Sequence, residues 1–159
     1  MEKGINLSLT KSLVDFDALI DTAIKDISSE SSVIEDMPDE VWKYQVGKYV
    51  KIDIGKEEMP IFWIGYGWEE NDNHESCLWI EFDAETCPTK CWDKVNKLVG
   101  TTGKYYSGAD FEFAQVYMNA WIHFFLKEEY HIQFFDENID INVQKEILVG
   151  FINEVLEKV

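Results

Sequence analysis

The stretch from Tyr49 to Asp83 constrains the fold most, because apolar and polar residues alternate in it over three consecutive segments. Segments 49–54, 61–68 and 77–83 each place apolar side chains at every second position, as β-strands with one buried face do. The two connections are short and polar, which favours an antiparallel meander. The apolar face would carry Val50, Ile52, Ile54, Phe62, Ile64, Tyr66, Trp68, Leu78, Ile80 and Phe82. Burial of so many large side chains requires helices to cover this face.

Helical periodicity predicts four helices around the meander. Apolar residues recur at helical spacing over about 15–28, 88–99 and 141–158. A further segment, about 110–127, is apolar on nearly all sides, which predicts a helix central to the core or part of an interface. A strand over 111–117 is an alternative that periodicity does not exclude.

These elements predict one α+β domain that spans residues 1–159. Its centre is the three-stranded antiparallel meander at about 48–83, which short flanking strands would extend. A chain of 159 residues is long enough to bury a core without disulfides or a structural metal.

The charge of the chain is strongly negative. Thirty-one acidic residues stand against fourteen basic ones, a formal net charge of −17, and all basic residues are lysines. Arginine is the usual bidentate partner of phosphate and of guanine. We therefore expect neither nucleic acid nor an anionic membrane as partner. A basic protein partner fits this charge, although acidity that serves solubility alone is the simpler interpretation.

The compartment is predicted to be the cytoplasm. The N-terminal residues lack the apolar core of a signal peptide, and no apolar run approaches the ~20 residues of a membrane span. Three cysteines, an odd number, favour free thiols in a reducing environment.

The second face of the meander is the candidate site. Glycines two positions apart remove side chains from one strand beside two tryptophans, and tryptophan faces and carboxylates both attract cations. This pattern is compatible with a slot for a ligand or a partner's side chain. The alternative is that the aromatic-rich predicted helix at 111–127, or another element, packs into the gap and fills it. The candidate binding residues are Tyr49, Asp53, Trp63, Gly65, Gly67, Trp79, Glu81 and Asp83.

Carboxylates on this face allow a metal hypothesis. Asp53, Glu81 and Asp83 carry oxygen ligands of the kind that Mg²⁺ and Ca²⁺ prefer. A nuclease of the PD-(D/E)xK type would need a lysine two residues after Glu81, where this chain has Asp83. Nuclease activity is therefore not expected, and whether a metal binds is left open.

A zinc site is excluded by geometry if the strand prediction is right. His74, Cys77, Cys87 and Cys91 have suitable ligand types, but a seven-residue strand spans ~23 Å and separates Cys77 from the other two thiols. Nothing in the sequence places a histidine beside a cysteine, and no phosphate loop, GxSxG or HExxH motif is present. No catalytic residue and no cofactor are predicted.

The resulting hypothesis is a small, cytoplasmic and non-enzymatic protein that binds a positively charged protein surface, as inhibitor and immunity proteins do. Acidic segments at 26–40, 69–75 and 128–140 would guide the encounter, and exposed aromatic side chains would anchor it. The alternative is an enzyme-like site for a small ligand or divalent metal on the Trp63/Trp79 face. The sequence determines neither the partner nor the oligomeric state.

Overall fold

The computed structural model describes residues 13–27, 32–33, 40–42, 45–55, 57–68, 76–136 and 138–159. These residues form four helices and seven strands. The helices are α1 (Leu13–Ile27), α2 (Thr89–Asn96), α3 (Glu128–Phe134) and α4 (Ile141–Glu157). The strands are β1 (Ser32–Val33), β2 (Glu40–Trp42), β3 (Gln45–Lys51), β4 (Ile61–Trp68), β5 (Ser76–Asp83), β6 (Tyr106–Ala114) and β7 (Asn119–Leu126).

The strands join in one antiparallel sheet with the order β1-β3-β4-β5-β7-β6, and β2 also pairs with β3. Strands β3, β4 and β5 are the predicted meander, and the α+β class is confirmed. The chain leaves β5 through α2 and enters β6 at the outer edge of the sheet. It then returns as β7, which fills the position between β6 and β5.

The core lies on the face of the sheet that carries the even-numbered residues of β3, β4 and β5. Phe62, Ile64 and Ile80 are fully buried there. Helix α1 packs against α4 and β3, and α3 packs against α4 and β5. One apolar cluster thus joins the sheet to helices from both ends of the chain.

The predicted helix at about 110–127 is wrong, because this segment forms the hairpin of β6 and β7. The strand alternative is correct for residues 111–114. Strand β7 buries Ile122, Phe124 and Leu126 in the core and turns the residues between them to the second face. A segment that is apolar on both faces matches helical and strand periodicity equally well, so pairing with β5 decided its structure.

The other three predicted helices are confirmed, with ends that differ by at most three residues. Helix α4 begins after Asp140, whose Oδ1 accepts a hydrogen bond from Asn142 N at 2.8 Å. Helix α2 begins after Pro88 and ends at Asn96, earlier than predicted. Helix α3 is an additional short helix at 128–134, where the sequence pattern predicted a loop with a possible strand at 131–135.

Candidate functional site

The second face of the sheet, which is opposite the helix-covered core, brings most of the predicted site residues together. Cross-strand pairing places two parallel rows of side chains across five strands. One row consists of Tyr49, Trp63, Glu81, His123 and Asp110, in this order. The adjacent row consists of Gly47, Gly65, Trp79, Phe125 and Gly108. Five of the eight predicted residues therefore lie within two neighbouring rows.

Trp63 uses the space that the glycines leave. Its indole ring lies over Gly47, the residue directly opposite Gly65, so closely that a side chain at position 47 would collide with it. The ring centroid is 5.0 Å from that of Trp79. Gly65 and Gly67 are both buried. The aromatic packing that removes Trp63 from solvent thus depends on a third glycine, Gly47, that the sequence analysis did not single out.

The indole nitrogen of Trp63 has an unusual environment. Trp63 is only 2% exposed. Among the residues that the structure describes, no acceptor lies within hydrogen-bonding distance of its Nε1. A buried donor without an acceptor costs about 1–3 kcal/mol, so the packing of this ring on Gly47 and Trp79 has to offset that cost.

Glu81 and His123 form an ion-pair geometry in the middle of the first row. Glu81 Oε2 lies 2.8 Å from His123 Nε2 and accepts a 3.4 Å hydrogen bond from Trp79 Nε1. Glu112 Oε2 approaches the same histidine nitrogen at 4.0 Å. The imidazole is stacked on Phe125, with ring centroids 5.8 Å apart. The site therefore offers one histidine between carboxylates beside an aromatic surface.

His123 was not among the predicted site residues, because the segment around it was taken for a helix. One signal could have identified it. Trp121, His123 and Phe125 alternate with Ala120, Ile122 and Phe124, which is the pattern of a strand with two occupied faces.

The carboxylate of Asp83 is buried and accepts hydrogen bonds from within the protein. Asp83 is 7% exposed, and its Oδ1 accepts hydrogen bonds from Asn119 Nδ2 at 2.7 Å and from Glu85 N at 2.8 Å. Its Oδ2 accepts a 3.4 Å bond from the hydroxyl of Tyr49. These contacts tie the end of β5 to the start of β7 and to β3. They account for a buried carboxylate without any ligand.

The three carboxylates of the metal hypothesis are not gathered into one site. Asp53 lies after the end of β3, and its Oδ1 accepts a hydrogen bond from Gly55 N at 2.8 Å. Across the described part of the chain, no three His, Cys, Asp or Glu side chains are arranged to hold a metal ion. His74, one of the residues tested for zinc, lies outside the described residues.

Cys87 and Cys91 form a buried pair at the start of α2. The thiol of Cys87 is hydrogen-bonded to the Cys91 sulfur. This bond, together with burial and the nearby negative charge, raises the pKa of the Cys87 thiol far above its ordinary value. A thiol that stays protonated is a poor nucleophile, so Cys87 packs as an apolar residue.

Five of the nine exposed large apolar side chains of the described chain lie on β6 or in the turn that joins it to β7. We call the following residues the hairpin-tip patch: Phe111, Phe113, Val116, Tyr117 and Met118, which are 50%, 53%, 90%, 72% and 73% exposed. The other four, Met59, Val99, Ile132 and Val143, lie in four different parts of the sequence. Clustered exposure of this kind marks interaction surfaces. The patch was not predicted from the sequence, because the same residues were assigned to a helix that would be central to the core or part of an interface.

Acidic side chains accompany the hairpin-tip patch. Asp110 and Glu112 alternate with Phe111 and Phe113 along β6, and both are exposed. Aromatic anchors beside carboxylates suit a partner that combines apolar and basic groups.

Two surface cavities lie elsewhere. One, of about 330 Å³, is lined in part by Glu58, Lys90 and Cys91. The other, of about 470 Å³, is lined in part by Tyr105 and Lys145. Neither contains a residue of the two rows or of the hairpin-tip patch.

Comparison of the chain with protein-family models, with curated proteins and with solved structures finds no match. No helix among the described residues has the length and apolar character needed to cross a membrane.

Proposed function

We propose that this protein is a non-enzymatic binding protein that recognises a positively charged protein surface, in the manner of an inhibitor or immunity protein. The observation that supports this proposal is the β6–β7 hairpin, which carries both the hairpin-tip patch and the exposed carboxylates of Asp110 and Glu112. The net charge of −17 attracts a basic partner over distance, and the aromatic side chains supply the contact that holds it.

The energies of ion pairs and of aromatic contacts indicate what each contributes to binding. Exposed ion pairs contribute about 0–1 kcal/mol each and are screened by salt. Buried aromatic anchors contribute 2 kcal/mol or more at the centre of an interface. Charge should therefore govern the association rate, whereas the hairpin-tip patch should govern the lifetime of the complex.

Photo-crosslinking in the source cell tests the proposal. A photoreactive amino acid replaces Tyr117 in the hairpin-tip patch or, as a control, Glu146, which is exposed on α4. We expect a covalent adduct with one basic protein from position 117 and none from position 146. Adducts of equal yield from both positions, or adducts with acidic proteins only, would contradict the proposal.

A matched pair of variants then measures the anchor with the purified partner. Tyr117→Ser is expected to weaken binding by about tenfold or more, because a hot-spot aromatic is worth about 2 kcal/mol. Ile132→Ser removes another exposed apolar side chain, 61% against 72% exposed for Tyr117, from α3 and should leave affinity unchanged. Raising the salt concentration should slow association more than it speeds dissociation.

The alternative function, a small-ligand or divalent-metal site on the Trp63/Trp79 face, has one supporting observation. Glu81 and His123 are each less than one-fifth exposed and lie beside the Trp79 ring. A panel of divalent metals and organic ammonium ions tests this alternative by thermal shift. A cation that stabilises the wild-type protein but not Glu81→Gln would favour it over the binding protein. A flat response across the panel would count against it.

A further inference from the structure

Strand β6 is the outermost strand of the sheet on its side. Its first half is covered, since Tyr106 O and Ala109 O accept hydrogen bonds from Gly103 N at 3.0 Å and Gly100 N at 2.9 Å. These bonds show that Ala109 directs its backbone groups away from β7. Because successive residues of a strand point their backbone groups to opposite edges, Phe111 and Phe113 also direct their N–H and C=O groups outward.

The second half of this edge is open within the described chain. No backbone hydrogen bond between described residues reaches the outer groups of Phe111 or Phe113, and both residues are at least half exposed. An open edge offers a row of donors and acceptors that a further strand can satisfy.

We propose, on the basis of the function proposed above, that residues 110–114 of β6 bind an extended basic segment of the partner as an additional antiparallel strand of the sheet. Every described strand pair in the sheet is antiparallel, so this addition continues the existing pattern. Binding by strand addition takes affinity from backbone hydrogen bonds and specificity from alternate side chains.

The side chains of β6 define what the added strand must carry. Phe111 and Phe113 lie on one face of the edge, and Asp110 and Glu112 lie on the other. Residues directly opposite each other on paired strands are about 4.5–5.5 Å apart at Cβ. An added strand therefore needs apolar side chains opposite the two phenylalanines and lysine or arginine opposite the two carboxylates.

A second copy of this chain is a poor occupant of the edge. Antiparallel pairing of two β6 strands would bring the Asp110 and Glu112 carboxylates of both copies onto the same face. Like charges on paired strands are destabilising, and each copy also carries a net charge of −17. Charge complementarity therefore selects a basic segment over self-association.

The test uses a synthetic peptide of alternating lysine and valine, one isomer N-methylated at every valine and another N-methylated at every lysine. In the proposed pairing the valines lie opposite Phe111 and Phe113 and present their N–H groups to β6, whereas the lysine N–H groups face solvent. The valine-methylated isomer should bind at least about tenfold more weakly than the parent peptide, and the lysine-methylated isomer should stay within about threefold of it. Equal affinities of the two isomers, or a loss confined to the lysine-methylated isomer, overturn the antiparallel addition.

A pair of variants tests the same pairing from the side of the protein. Phe113→Ala and Phe113→Pro both remove the ring, but only proline removes the outward N–H group, which the fold itself does not use. The parent peptide should bind Phe113→Pro at least about threefold more weakly than Phe113→Ala, provided that both variants keep the wild-type circular dichroism spectrum. Equal affinities for the two folded variants count against backbone pairing.

These outcomes separate the inference from the proposed function. If both methylated isomers bind like the parent peptide and Tyr117→Ser abolishes binding, the strand addition is overturned. The proposal that the protein binds a basic partner then still holds. If the parent peptide does not bind even at low ionic strength, the strand addition is overturned, and the photo-crosslinking result at position 117 decides the proposed function separately. Sedimentation that reveals a dimer, with the Phe111 and Phe113 amides protected from hydrogen exchange, assigns the edge to a second copy instead.

Discussion

At the scale of single residues, Gly47 decides how the second face packs. A Cβ atom at this position would collide with the Trp63 ring and would also lie 2.6 Å from the carbonyl oxygen of Ile64. The Trp63 ring can therefore lie over β3 only because residue 47 lacks a side chain. Gly108, at the far end of the same row, is different, since a Cβ there would meet only Asp110 Oδ1 at 3.8 Å.

This contrast gives a stability prediction. Gly47→Ala should lower the free energy of unfolding by about 1–3 kcal/mol, because the Trp63 ring or the backbone of β4 would have to move. Gly108→Ala should be neutral or stabilising by up to about 1 kcal/mol, because the unfolded chain loses freedom and the folded chain gains no clash. Urea unfolding curves of both variants measure the difference. Equal destabilisation by the two substitutions would contradict the role of Gly47.

Cys87 gives a prediction of pH dependence. The hydrogen bond to Cys91 and burial raise the pKa of the folded thiol above its ordinary value of 9.0. The unfolded chain therefore releases a proton near pH 9 that the folded chain keeps, and the stability contributed by this group is present below that pH and is lost above it.

From about pH 9 upward, Cys87 should lower the free energy of unfolding of the wild-type protein by about 1.4 kcal/mol per pH unit. Cys87→Ala should remove this part of the decline, so that the variant loses less stability than the wild type between about pH 8 and about pH 10. Urea unfolding at the two pH values measures both slopes. Identical slopes would show that the Cys87 thiol ionises equally in both states.

At the scale of elements, the β6–β7 hairpin combines a strained turn with exposed apolar side chains. Its turn is closed by hydrogen bonds from Tyr117 N to Ala114 O and from Met118 N to Gln115 O. Met118 adopts a φ of 50°, which β-carbon-bearing residues rarely adopt. The Met118 side chain is also mostly exposed, so it contributes little to folding. The hairpin loop 115–118 requires this left-handed residue before β7 begins, and the proposed function would give its exposed side chain a contact with the partner.

Met118→Asn should therefore separate stability from binding. Asparagine tolerates positive φ, so the free energy of unfolding should rise by about 0.5–1 kcal/mol. Binding to the basic partner should weaken at the same time, because an apolar contact of the hairpin-tip patch is lost. Urea unfolding and titration calorimetry measure the two effects. Val143→Asn, which changes a partly exposed apolar residue of α4, is the control and should not weaken binding.

At the scale of the whole molecule, the net charge of −17 acts on folding and on binding in opposite directions. Mutual repulsion of carboxylates destabilises the compact chain, and salt screens this repulsion. Attraction to a basic partner is screened by the same salt. Higher ionic strength should thus raise the folding stability of the free protein and lower its affinity for the basic partner.

Addition of sodium chloride up to a physiological ionic strength should stabilise the free protein by about 1 kcal/mol, which corresponds to a rise of about 2–4 °C in Tm. Potassium chloride at the same ionic strength should act alike, because screening does not depend on the identity of the cation. Scanning calorimetry measures the shift. A Tm that falls with salt would mean that attractive ion pairs, such as Lys145 with Asp26 at 2.6 Å, outweigh the repulsion.

The core face was predictable from sequence because the alternation over 49–83 fits few structures other than strands with one buried face. The one-sided periodicity of α1 and α4 predicts the helices that cover this face. The rows of the second face were predictable only in part. The sequence pattern assigns to one face the residues Tyr49, Trp63, Gly65, Trp79 and Glu81. Their distances from the side chains of β7 depend on the register between β5 and β7, which are far apart in the sequence. Local pattern carries no information about such pairing.

The sequence by itself determined the α+β class, the meander, three of the helices and the acidic charge, because each follows from local periodicity or from a count of residues. Only the tertiary structure decided whether residues 110–127 form a helix or two strands. A segment that is apolar on both sides suits a helix and a hairpin alike, and the open edge of β5 offered backbone partners that a helix would have left unsatisfied. That pairing placed His123 beside Glu81 and left Phe111, Phe113 and Tyr117 exposed on the hairpin.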